Sequence, residues 1–105
     1  MIQINIITKN VLQAQEITSL LYQEKLVLNE YILKEVVGRL PNDAGELSNV
    51  DEVLIVGTTK ALLFKTIVEL LKEKYGDKIP IIYAVPIVYM EETQTETLRS
   101  GTAKV

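Results

Sequence analysis

The chain contains no histidine, no cysteine and no tryptophan, and each absence removes a class of chemistry. Without imidazole or thiolate there is no tight structural zinc, no blue copper, no iron–sulfur cluster and no haem held by His or Cys. Ser–His–Asp and Cys–His catalysis and phosphohistidine transfer fall for the same reason. Metal sites made of oxygen donors remain. The carboxylates that would build one, Asp51-Glu52 and Glu91-Glu92 with Glu96, fall at the ends of predicted elements, where solvated charge is the ordinary reading. The expectation is therefore no bound metal, no cofactor and no enzymatic activity. Lack of cysteine also means no disulfide framework, which fits a reducing compartment. No apolar run reaches transmembrane length, and the first residues read directly into a strand rather than a basic, apolar, small-residue leader. A cytoplasmic protein without membrane insertion is expected. With 11 Lys and Arg against 14 Asp and Glu, the net charge of −3 excludes general nucleic-acid binding, which needs a basic face.

What the chain does have is apolar pattern. Hydrophobic residues make up 48% of its 105 residues, enough for the core of one domain spanning residues 1–105. Ile2 to Thr8 reads as a strand, Val11 to Lys25 as a helix capped by Asn10, and Val27 to Val37 as a second strand. The order repeats: an apolar run from Val53 to Gly57, a helix whose stripe is Phe64, Ile67, Val68, Leu71 and Tyr75, a stop at Gly76, and a β-rich stretch from Ile79 to Val88. The result is β-α-β-β-α-β, an α+β ferredoxin-like sandwich with two helices on one face of an antiparallel four-stranded sheet.

The last strand predicts assembly. One parity is Ile79, Ile81, Tyr83, Val85 and Ile87, the other Pro80, Ile82, Ala84, Pro86 and Val88, so both faces are apolar. A sheet covered by helices on one side only needs a second cover, and another copy of the chain is the most economical one; the alternative is that the C-terminal tail folds back. A glutamate at Ile82 would charge the presumed interface face or, if the parity is reversed, the core. Pro86 cannot donate to a ladder and places this strand at an edge, as the order 4-1-3-2 requires. Gly38 to Val50, rich in turn formers, reads as one extended loop suited to a partner. The tail from Met90 to Val105 alternates Thr93, Thr95 and Thr97 with polar residues and reads as a short fifth strand or a weakly structured end.

Several words carry a resemblance. Ala14-Gln15-Glu16-Ile17, Glu24-Lys25-Leu26, Val53 to Thr59, Leu70-Leu71-Lys72 and Val85-Pro86-Ile87 resemble the CutA divalent-cation tolerance family, which shares the trimeric ferredoxin-like fold of the PII signalling proteins. Members typically carry a Cys near the position of Leu28 or Asn29; this chain does not, so no copper-linked residue carries over. Gly76-Asp77-Lys78-Ile79 is similar to the phosphate loop of PII proteins without its second Gly, and Arg99-Ser100-Gly101 to their Arg-Thr-Gly. The resemblance implies a homo-oligomer, a trimer, with Gly76, Asp77, Lys78, Arg99 and Gly101 lining a cleft for a small anionic ligand such as a nucleotide. The loop carrying Gly38, Arg39, Asn42, Asp43 and Gly45 would then correspond to a flexible signalling loop. An ACT-like metabolite-binding module or a purely structural interaction domain is the alternative. Acylphosphatase-like catalysis would need an Arg after the first strand, where only Thr8, Lys9 and Asn10 stand, and an RNA reader would need an aromatic in Val53 to Gly57.

Overall fold

A computed structural model describes residues 1–105. Its elements run β1 (Ile2–Thr8), α1 (Val11–Gln23), β2 (Glu30–Pro41), β3 (Leu47–Thr59), α2 (Phe64–Tyr75), β4 (Ile81–Pro86) and α3 (Glu92–Gly101), with single 3-10 turns on either side of α2. The four strands pair in the order β2-β3-β1-β4, every neighbour antiparallel. This is the expected ferredoxin-like topology, and it puts Pro86 on an edge strand.

Local chemistry sets the boundaries. The Asn10 side chain accepts from the Gln13 amide at 2.8 Å and starts α1, which turns Ala14, Ile17 and Leu21 inward. At its far end Lys25 takes a left-handed φ of 55°, and the amides of Glu24, Lys25 and Leu26 close on the carbonyls of Leu20, Tyr22 and Leu21. α2 turns Ile67 and Leu71 inward and ends at Gly76, whose φ of 60° suits a residue without a side chain. Ile4, Ile6 and Ile55 meet these helix residues in one fully buried cluster. Each such side chain contributes roughly 1.5–3 kcal/mol of burial. The two buried threonine hydroxyls at the sheet's ends are satisfied, Thr8 by the Val53 carbonyl at 2.8 Å and Thr59 by that of Leu26 at 2.5 Å.

Three expectations need correction. The stretch from Gly38 to Val50 is not an extended loop: β2 and β3 continue as a hairpin arm in which Gly38 faces Val50, Arg39 faces Asn49 and Pro41 faces Leu47. Only Asn42 to Glu46 turns. Asn42 Oδ1 accepts from the amides of Ala44 and Glu46, both at 3.0 Å, and Gly45 supplies the left-handed φ of 80°, so the turn formers close one tight bend. At Gly38 an added Cβ would displace the Glu52 carboxylate, which lies over it. A β-bulge between Leu33 and Val36, with Glu35 at φ 60°, precedes the arm, and the chain measures 48 × 29 × 20 Å.

The second correction concerns the tail, which forms α3 rather than a fifth strand or a weakly structured end. Glu91 caps it, its carboxylate accepting from the amides of Thr93 and Gln94 and from the Thr93 hydroxyl, and these hydrogen bonds hold its pKa below the usual range. The threonines then bond back along the helix, Thr95 to the Glu91 carbonyl and Thr97 to that of Thr93, each at 2.9 Å.

The third concerns parity in β4. Ile82 and Ala84 pack against the core, while Ile81, Tyr83 and Val85 stand on the opposite face. The presumed interface position at Ile82 is therefore a core position.

Candidate functional site

The open face of the sheet is the most unusual surface of the molecule. The strand register sets Leu33, Leu54, Ile7 and Ile81 in one row across all four strands, and Tyr31, Val56, Asn5 and Tyr83 in the next. Ile81 is 60% exposed, Tyr31 61% and Tyr83 48%. α3 comes against β3 and buries Leu98 and Thr102, yet these apolar side chains stay in contact with solvent. The tail thus leaves Tyr31, Ile81 and Tyr83 on the edge strands open. An apolar surface running through every strand of a sheet marks a contact surface. The hairpin arm continues it with Leu40 and Val50, both exposed, while Val37 and Leu47 stand exposed on the arm's other side.

The residues expected to hold an anion do not meet within one chain. Gly76, Asp77 and Lys78 form an exposed 3-10 turn just before β4, at the sheet end where Ile81 pairs with Ile7. Arg99 and Gly101 lie at the other end: Ala103, just beyond them, donates its amide to the Lys25 carbonyl at 2.7 Å and lies within reach of Lys60, beside the Ile2–Thr59 pair. The seven residues of β1 separate the two ends by on the order of 20 Å. Arg99 pairs with Glu96 at 2.7 Å, and a side chain at Gly101 would strike Leu28, so this glycine lets α3 approach the segment leading into β2.

Around Arg99 and Gly101 the structure does form a cavity, of about 700 Å³, between the ends of α1 and α3. Its walls include Tyr22, Lys25, Val27, Leu28 and Lys104, none of which stood out as binding residues in the sequence. They come from separate stretches of chain with no shared motif, and only the packing of α3 on Leu28 joins them. No three carboxylates converge to hold a metal ion, and no helix is long and apolar enough to cross a membrane.

One titratable group is unusual. Glu30 lies on the helix-covered side at the first residue of β2, its Cγ filling the space that Gly57 leaves open, and its Oε1 has no hydrogen-bond partner. Burial alone pushes its pKa up to about 7. The unfolded chain ionises this group near 4.5, so the folded state loses relative stability as pH rises from there to about 7 and levels off above. Because the side chain is only half-buried, solvent screens the charge and the cost is on the order of 1 kcal/mol. Glu30→Gln is expected to match the wild type in urea midpoint near pH 4 and to exceed it near pH 8. Equal midpoints at both pH values would refute the assignment.

No family model matches the chain. No curated protein matches it either. Solved structures do. The divalent cation tolerance protein CutA1 of Thermus thermophilus is 23% identical and superimposes with a TM-score of 0.86 over 98% of this chain and 100% of its own. CutA1 of Oryza sativa is 19% identical, with a TM-score of 0.88 over 99% of this chain and 94% of its own. CutA of Archaeoglobus fulgidus, described as a periplasmic divalent cation tolerance protein, is 19% identical, with a TM-score of 0.84 over 96% of this chain and 98% of its own. At these identities the likeness is one of fold, and it spans nearly the whole of each chain.

Proposed function

We propose that this chain is a CutA family member that works without catalysis, as a homo-oligomer binding a small ligand, in divalent-cation tolerance, the role named for its structural neighbours. The observation that carries the reading is the open face: apolar side chains exposed on the edge strands β2 and β4 and half-buried on the strands between them, on a fold superimposable on CutA1 end to end. A trimer is the assembly that the resemblance to CutA and PII proteins implies. The hairpin arm bearing Arg39, Asn42, Asp43 and Gly45 is then the element that reaches a partner. With neither imidazole nor thiolate, tolerance does not come from tight chelation by this chain, and a signalling or regulatory role follows. The cytoplasm is its proposed compartment, consistent with the absence of cysteine, although the Archaeoglobus neighbour is described as periplasmic. Expression of the chain in a bacterium deprived of its own CutA tests the role directly. Restored growth at elevated copper or zinc is expected, and growth no better than with an empty vector would count against it.

A further inference from the structure

The cavity between the ends of α1 and α3 is walled by Lys25, Arg99 and Lys104 and by no carboxylate, on a chain whose net charge is −3. Cations at helix C-termini often neutralise the last carbonyls. Here that work is done by other groups. Lys60 Nζ donates to the carbonyls of Ala103 at 2.8 Å and Thr102 at 3.4 Å, and the Thr102 hydroxyl donates to that of Leu98 at 2.8 Å. At the end of α1 the carbonyls of Leu20, Leu21 and Tyr22 take backbone amides, and that of Lys25 takes the Ala103 amide. Lys25 and Lys104 belong to no ion pair; of the three cations only Arg99 does, with Glu96. Two lysines outside any ion pair thus line a ligand-sized space, with the Arg99–Glu96 pair beside them.

We propose that this cavity binds a small phosphate-bearing anion. Lys25 and Lys104 make the principal contacts and Arg99 leaves Glu96 to join them, while Val27, Leu28 and the exposed Tyr22 ring form an apolar wall for an organic group. The proposal rests on the ligand-binding part of the reading above and not on assembly, because every wall comes from one chain. It moves the site away from Lys78, which lies at the far end of the sheet.

Calorimetric titration with tripolyphosphate and with ATP, at low salt and without magnesium, tests it. The wild type is expected to bind with a Kd below about 1 mM. The Lys25→Gln/Lys104→Gln variant should bind about tenfold or more weakly, and Lys78→Ala should be unchanged. Tighter binding of ATP than of tripolyphosphate assigns the apolar wall to a nucleoside; equal affinity assigns the site to phosphate alone. Neither probe binding the wild type overturns the inference, as does unchanged affinity in the double variant or equal weakening by Lys78→Ala. Light scattering on the same samples separates the two readings. An oligomer that binds neither probe overturns the site and leaves the assembly standing; a monomer that binds does the reverse.

Discussion

Glutamate in place of Tyr83 is expected to yield folded monomers, and the same change one residue earlier, at Ile82, to destabilise the fold itself. The two side chains are neighbours in β4 but point to opposite faces. Tyr83 is 48% exposed in the single chain, so a charge there stays solvated until a second copy covers it. Assembly then buries one unpaired carboxylate per subunit, at several kcal/mol each. Ile82 pairs with Ile6, which is fully buried, and packs half-buried on the core cluster, so a carboxylate there loses much of its solvent and gains no partner. A penalty of several kcal/mol consumes most of the roughly 5–15 kcal/mol that stabilises a domain. Circular dichroism and size-exclusion chromatography separate the outcomes. A Tyr83→Glu variant that elutes with the wild type would remove the open face from the assembly.

Leu98→Ala is expected to release α3. Leu98 is the one fully buried side chain of that helix and lies outside the main core cluster, so the docking of α3 depends on it. Truncation of a buried leucine costs about 2–5 kcal/mol. The loss should be concentrated in residues 92–101, whose amide exchange rises toward that of an isolated short helix while β1 and β3 keep their protection. The cavity beside Arg99 should open at the same time. Unchanged exchange in α3 would show that its capping by Glu91 and the Lys60 contacts suffice.

Periodicity made the first six elements legible. The stripes of α1 and α2, the cap at Asn10 and the stop at Gly76 are local signals, and the edge position of β4 follows from Pro86. Elsewhere the local signals are ambiguous. Alternating threonines imitate a strand, yet between Thr93 and Thr97 they serve as back-bonding helix residues behind a Glu91 cap. In the arm, Ser48 and Asn49 are polar strand residues held by cross-strand contacts to Leu40 and Arg39, which composition does not reveal. β4 is apolar on both parities, so only its register with β1 tells Ile82 from Tyr83. Of the residues expected to bind a ligand, Gly76 and Gly101 have local structural reasons for being glycine. Lys25 and Lys104, 79 positions apart in sequence, are brought to one cavity by the docking of α3.

The measurement that tests the central claim most directly is the solution mass of the wild-type chain, by light scattering at about 10 µM. Specific interfaces built on such faces hold at that concentration. An oligomer is expected, with three times the mass of one chain. A stable monomer, with its apolar sheet face open to water, would contradict the account.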